Sequence, residues 1–351
     1  MRRRWRGTFV AVPTPVVIVT GFLGSGKTTL LNHLLHNDDG VRIGVIVNDF
    51  GSVNVDAMLV AGQVDAMVSL DNGCLCCAVD ASGMDAMLTK LTQPDVDIDV
   101  IVIEASGLAE PRDLLRLVLA SEEADISPGG LVEVVDAAEF EATRAEFPQL
   151  DQHLAVADLV VLNKTDRVND VERDRLVDTV RKLSDGAPVV PTAHGRVNPQ
   201  LLFDPPEQPR PDDGQLSFDA LLREDSAEAD CSGHLHAAFE SVSFRTDEPL
   251  DPRQLMALLS DRPAGVYRVK GCVHFGVPGH GQKFWLHVVG GFIQVSRDEW
   301  QRDEQQHTEL VVIGAGVDAS EVLARLRACE VGGSCALDEQ SMLGVLRYVD
   351  A

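Results

Sequence analysis

The sequence predicts an α/β protein: a doubly wound, mainly parallel sheet followed by a smaller α+β unit. Three observations predict it. Residues 14–203 alternate short β-branched runs with amphipathic helical stretches, the pattern of βαβ units. Residues 204–230 are proline-rich and carry nine acids against two bases, which reads as a linker with one short helix around 216–223. From about 237 the pattern changes to strands of antiparallel type mixed with two helices. The expected division is therefore 12–203, a linker at 204–236, and 237–351.

Taken in order, "VVIVT" (16–20), "RIGVIV" (42–47), "DVIVIE" (99–104), "GLVEVVD" (130–136), "DLVVLN" (158–163) and "APVVPT" (187–192) are short, apolar and β-branched, as strands buried on both faces are. "TTLLNHLLH", "ASGMDAMLTKL" and "VERDRLVDTVRKLS" carry apolar residues at helical spacing. The stretch 48–77 reads as a loop. In the last third, "AAFESVSFRT", "GVYRVKGCVHF", "KFWLHVVGGFIQVS" and "TELVVIGAG" read as strands, and "DPRQLMALLS" and "ASEVLARLRAC" as helices. His33 and His36 share one helix face and read as solvated surface.

Charge and composition narrow the function. The chain has 351 residues, 45% of them hydrophobic, and a net charge of −25. That acidity argues against a nucleic-acid partner, which needs a basic face. No apolar run reaches the ~20 residues of a membrane helix. The start, "MRRRWRGTFVAVPTPVVIV", is basic and then apolar, but "VVIV" runs directly into a glycine-rich loop and reads as a first strand. Residues 1–11 are expected to be a loose tail and the protein to be cytoplasmic.

Gly21-Phe-Leu-Gly24-Ser25-Gly26-Lys27-Thr28 fits the P-loop pattern, between a buried strand and an apolar helix that also takes in Thr29. Its backbone N–H groups would cradle phosphate, Lys27 would reach the β- and γ-oxygens, and the Thr28 hydroxyl would bind Mg²⁺. Asn163-Lys164-Thr165-Asp166 ends a later strand. A carboxylate at Asp166 accepts from the N1–H and amine of guanine, whereas adenine presents an acceptor at N1, so GTP is favoured over ATP. Asn163 would tie the loop and contact the base, the Lys164 stem would lie along the base plane, and "PTAHG" (191–195) offers a backbone N–H to the guanine O6. Glu104 ends the strand "DVIVIE", where a carboxylate supports the Mg²⁺ shell and the attacking water. Lys27 and Glu104 are thus the candidate catalytic residues. No motif places an arginine as a cis finger, Arg112 just after "GLAEP" being a guess only, so intrinsic turnover is expected to be slow.

Three of the seven cysteines crowd into "NGCLCCAVD": Cys74, Cys76 and Cys77. Two or three thiolates on one loop make a soft site suited to Zn²⁺, Co²⁺ or Cu⁺ rather than Mg²⁺, with a coordination position left open for exchange. The competing readings are a redox switch of vicinal thiols and small buried apolar side chains.

The set "GFLGSGKTTLLNHLL", "NDFGSVNVD", "NGCLCC", "EASGLAEP" and "NKTD", in this order, resembles the CobW-like metal-handling P-loop GTPases, relatives of the GTPases that insert nickel into urease and hydrogenase; "YRVKG" at 267–271 resembles that family's second domain. The resemblance spans roughly 15–345. It implies a P-loop GTPase fold, GTP, Mg²⁺ and Zn²⁺ (or Co²⁺) as ligands, a client metalloenzyme of unknown identity as partner, a homodimer as an option, and no nucleic-acid or membrane partner. By this analogy Mg²⁺-GTP orders "NDFGSVNVD" and brings Asp49 to the thiolates, Asp49 being an oxygen donor for Mg²⁺ or for the transition metal, and hydrolysis relaxes the loop. The alternatives sharing these residues are a cobalt or iron insertase for cobalamin or nitrile hydratase systems and a redox-sensing GTPase switch. Ser52 stands where the family often carries an acid and Val47 where it sometimes does, so fewer oxygen ligands weaken that part of a site or shift its metal preference; Asp71 stands where glutamate is more usual. A second cluster, Cys231, His234 and His236, has zinc-ligand chemistry at short spacing, with His274, His280 and His287 as further candidate ligands.

Overall fold

A computed structural model of the chain describes residues 13–36, 41–47, 66–69, 81–93, 96, 98–203, 240–302, 304–331 and 337–349. The first part is a parallel sheet of β1 (Thr14–Thr20), β2 (Ile43–Val47), β3 (Ala66–Ser69), β4 (Val100–Glu104), β5 (Ile126–Asp136), β6 (Leu159–Asn163) and β7 (Val189–Pro191), in the order β3-β2-β4-β1-β5-β6-β7. The doubly wound class expected from the alternation is the one found.

The strands alternate between two apolar layers, so both faces must be covered. On one face Val16, Ile18, Ile46, Ile101, Ile103, Leu131, Val135, Val160 and Leu162 pack against α2 (Ala81–Thr92), α3 (Pro111–Leu119), α4 (Phe140–Glu146), α5 (Leu150–Leu154) and α6 (Asp170–Leu183). On the other, Val17, Val19, Val45, Val102, Val132, Val134 and Val161 meet α1 (Lys27–Leu35) and α7 (Pro199–Leu202). Helix starts follow the local chemistry: Asn169 accepts from the Glu172 N–H at 2.9 Å to cap α6. His33 departs from its surface reading, because the chain after β7 crosses α1 there and His33 Nε2 lies 3.0 Å from the Val197 carbonyl; His36 stays exposed.

Two strand readings needed revision. β5 starts at Ile126, four residues earlier than expected, because it pairs with β1 from Thr14 onward. The stretch read as a loop contains β3, which pairs in parallel with β2 as the sheet's edge strand. β2 and β3 end level with Glu104: Val47 is the register partner of both Glu104 and Ser69.

The second sheet is antiparallel, ordered β11-β10-β9-β12-β8, from β8 (Glu240–Thr246), β9 (Val266–Val273), β10 (Lys283–Val289), β11 (Phe292–Asp298) and β12 (Thr308–Gly314). One face packs on α8 (Pro252–Ser260), α9 (Ala319–Arg327) and α10 (Leu343–Leu346) through Val269, Phe284, Leu286, Leu310, Leu255 and Leu326. It joins the parallel sheet at the amino-terminal ends of β5 and β6. Tyr267 donates to the Gly129 carbonyl at 3.2 Å, and Asp158 accepts from the Leu131 and Gly291 N–H groups, each at 2.9 Å.

Candidate functional site

The turn Gly21–Gly26 links β1 to α1 at the carboxyl edge of the sheet, where loops of a parallel sheet gather ligand-binding groups. Gly26 has φ 105°, a left-handed value, and an added Cβ would sit 2.2 Å from Asn163 Nδ2. Only glycine fits there without shifting the neighbouring strand's end. Gly107, after β4, approaches so closely that an added Cβ would meet the Leu23 nitrogen at 2.8 Å.

Lys27 opens α1, is 8% exposed, and donates to the Gly21 carbonyl at 2.9 Å and the Phe22 carbonyl at 3.2 Å. The ammonium is thereby held at the phosphate cradle. Thr28 donates to Glu104 Oε1 at 2.7 Å, and Glu104 is 3% exposed. Two hard oxygen donors side by side at the end of β4 have the chemistry Mg²⁺ takes.

The turn after β6 is tied to the same loop. Asn163 uses both ends of its amide: Nδ2 donates to the Ser25 carbonyl at 2.9 Å, and Oδ1 accepts from the Gly195 N–H at 2.9 Å. Lys164 is left-handed at φ 59° and donates to the Gly24 carbonyl and to Asp136 Oδ2, each at 2.6 Å. Asp166 lies in a 3₁₀ turn, Thr165–Arg167, and is exposed. Thr29 follows in the first turn of α1. The Ser25 hydroxyl is buried and without a hydrogen-bond partner among the described residues.

Two acidic residues of this region were not singled out from the sequence. Asp136, the last residue of β5, anchors Lys164; a strand-end acid beside the P-loop strand was the available signal. Glu133 lies within β5 at 1% exposure, bonded to the Thr20 hydroxyl, with its pKa pushed up to about 7 chiefly by burial; a lone charge inside an apolar strand was the signal. Near it, His153 Nε2 is 3.4 Å from Glu110 Oε2, and burial lowers the histidine's pKa. Arg112 is exposed on α3.

The candidate transition-metal ligands Asp49, Cys74, Cys76 and Cys77, and the cluster Cys231, His234 and His236, lie outside the described residues. Among the described residues no three His, Cys, Asp or Glu side chains are grouped to hold a metal ion, so His274, His280 and His287 do not form such a group with one another.

Residues 15–191 match the nucleotide-binding domain of the CobW/HypB/UreG family, and residues 239–330 match the C-terminal domain of the cobalamin synthesis protein CobW. The chain belongs to the CobW/HypB/UreG family. The matched nucleotide-binding domain contains the Gly21–Gly26 turn and the Lys27, Thr28 and Glu104 arrangement. It is 31% identical to the zinc chaperone CobW of Sinorhizobium sp, over 90% of this chain and 96% of that protein. It is 28% identical to the zinc chaperone YjiA of Escherichia coli K12, over 89% of this chain and 97% of that one. The crystal structure of the Zn(II)-bound YjiA GTPase from E. coli aligns over 91% of this chain and 99% of its own, at 22% identity and a TM-score of 0.43. Among the described residues no helix is long and apolar enough to cross a membrane.

Proposed function

We propose that this CobW-family chain is a GTP-hydrolysing metallochaperone. It would load a transition metal, zinc in the first instance, on Cys74, Cys76 and Cys77 with Asp49, and release it to a client metalloenzyme when GTP is hydrolysed. The observation that carries the reading is one of placement. β2 and β3 both end level with Glu104, Asp49 follows β2 by two residues, and Cys74 follows β3 by five. The two strands that precede the acid and the thiols in the sequence therefore end at the sheet edge that holds the P-loop. The likeness to zinc chaperones over nine-tenths of the chain supports the cargo.

The chain's own groups account for the nucleotide steps. Phosphate oxygens are charged acceptors and displace the Gly21 and Phe22 carbonyls from Lys27. Thr28 and Glu104 would hold Mg²⁺, which would neutralise charge on the β- and γ-oxygens. Asp166 accepts from guanine, while Asn163 and Lys164 keep that turn locked to the P-loop. Release of the γ-phosphate would then loosen the thiolate grip.

The test is an anaerobic zinc titration with a competing chelator, in the presence of a non-hydrolysable GTP analogue and then of GDP. Affinity is expected to be at least tenfold higher with the analogue and to be lost in the Cys74→Ser/Cys76→Ser/Cys77→Ser variant. Equal affinity in the two nucleotide states overturns the coupling, and wild-type uptake by the triple variant overturns the site.

A further inference from the structure

Glu133 is out of keeping with its surroundings. It stands between valines in the middle of β5 and is 1% exposed. Burying a carboxylate is unfavourable unless charge or hydrogen bonds compensate it. Among the described residues its side chain meets one hydrogen-bond donor, the Thr20 hydroxyl.

Geometry ties it to the phosphate cradle. Thr20 and Glu133 are register partners on β1 and β5, and Thr20 is the residue immediately before Gly21. Glu133 also lines a pocket of about 320 Å³ whose walls include Phe22, Leu23, Gly24 and Ser25 of the same loop. The hydrogen-bond chain is complete with the proton in either position. Thr20 Oγ1 is 2.5 Å from Glu133 Oε2 and 3.3 Å from the Val132 carbonyl. With Glu133 ionised, the hydroxyl donates to the carboxylate. With Glu133 neutral, the acid O–H donates to Thr20 Oγ1 and the threonine hydroxyl turns to Val132. No heavy atom has to move.

The charged groups facing Glu133 come from several elements. Lys27, from the first turn of α1, favours the anion, and Glu110, at the start of α3, opposes it. Glu110 is itself paired with His153 of α5. Asp136 at the end of β5, Glu139 beyond it, and Lys164 and Arg167 beyond β6 line the same pocket, with Lys164 held by Asp136. β6 presents only Val160 at this register. Burial outweighs the favourable contributions and leaves the carboxyl titrating at about 7.

We propose that Glu133 is a proton-linked positioning residue of the nucleotide site, taking up one proton from solvent when a nucleoside triphosphate fills the phosphate loop. The incoming polyanion cancels the help Lys27 gives the carboxylate and repels it across a low-dielectric gap. Protonation removes that repulsion; no bond to phosphate is made or broken. The inference rests on the nucleotide-binding reading. Absence of any nucleotide binding would sink that reading, whereas binding without the proton would sink this inference alone.

The test is calorimetric titration of the full chain with guanosine 5′-(β,γ-imido)triphosphate and Mg²⁺, from pH 5.5 to 9, in buffers of different ionisation enthalpy. Wild type is expected to take up roughly one proton more than Glu133→Gln at pH 8 and none more at pH 5.5, the nucleotide's own titration cancelling in the difference. Wild-type affinity, relative to that variant, is expected to fall by up to about tenfold per pH unit above 7. Thr20→Val removes the donor that favours the carboxylate and should move the midpoint to higher pH. Equal proton uptake in wild type and Glu133→Gln at pH 8 overturns the proposal, as does weaker binding by Glu133→Gln at pH 5.5. If Glu133→Gln does not fold, the Thr20→Val profile decides: a raised midpoint supports the proposal and an unmoved one overturns it.

Discussion

In the proposed nucleotide site Asp166 would distinguish bases because a carboxylate only accepts. Guanine offers two donors to it, whereas xanthine carries a carbonyl where guanine carries its amine. Asp166→Asn supplies a donor and is expected to shift preference from GTP to XTP by about tenfold or more, read by competition against a fluorescent nucleotide. Lys164 donates to Asp136 and Gly24 from a left-handed turn. Asp136→Ala removes a partly buried charged partner, and nucleotide affinity should drop by about 1–2 kcal/mol in the same assay. Glu133 gives a stability prediction whose sign follows from its raised pKa. The neutral acid is the form the fold favours, so its contribution is complete below about pH 4.5, the unfolded value, and is lost as pH rises through about 7. Glu133→Gln should therefore match wild type near pH 4 and exceed it by about 3 kcal/mol at pH 8 in urea unfolding without nucleotide.

At the level of elements, the apolar strands of the parallel sheet were legible because burial on both faces demands continuous β-branched runs. β3 was not. It is four residues long and follows a stretch with no apolar period, and what makes it a strand is the open edge of β2, a tertiary fact. The glycine-rich turn and the Asn163–Asp166 turn were legible because their chemistry is local. Asp136 and Glu133 were passed over because their partners, Lys164 and Thr20, are brought to them by sheet order rather than by spacing. The same logic separates the cysteines. Cys272 on β9 and Cys329 after α9 are free and buried, and burial raises both pKa values, Cys329 to about 11. They should react with a thiol reagent at pH 7.5 only on unfolding. The Cys272→Ser/Cys329→Ser variant should leave the amplitude of the fast phase in a stopped-flow thiol assay unchanged; a reduced amplitude would contradict the burial argument.

Across the whole molecule, the second sheet is fastened at the opposite end of the parallel strands from the P-loop turn. Asp158 satisfies one N–H from each sheet, Leu131 and Gly291, at the amino-terminal ends of the parallel strands. Asp158→Ala leaves both donors without that acceptor and should cost about 2–3 kcal/mol in denaturant unfolding while nucleotide affinity stays within about twofold of wild type. The charge of −25 spreads self-repulsion over the chain, so unfolding midpoints should rise with added salt. One strand spans the distance between the two regions. β5 carries Gly129 beneath Tyr267 and, seven residues on, Asp136 beneath Lys164. A bulge at Gly129–Gly130 keeps that interval below the roughly 23 Å of fully extended backbone, and pairing with β1 on one side and β6 on the other fixes its length. A donor–acceptor dye pair placed at the two ends of β5 would therefore keep a constant separation through every catalytic turnover, an internal ruler against which the travel of any surrounding segment is measured in ångströms.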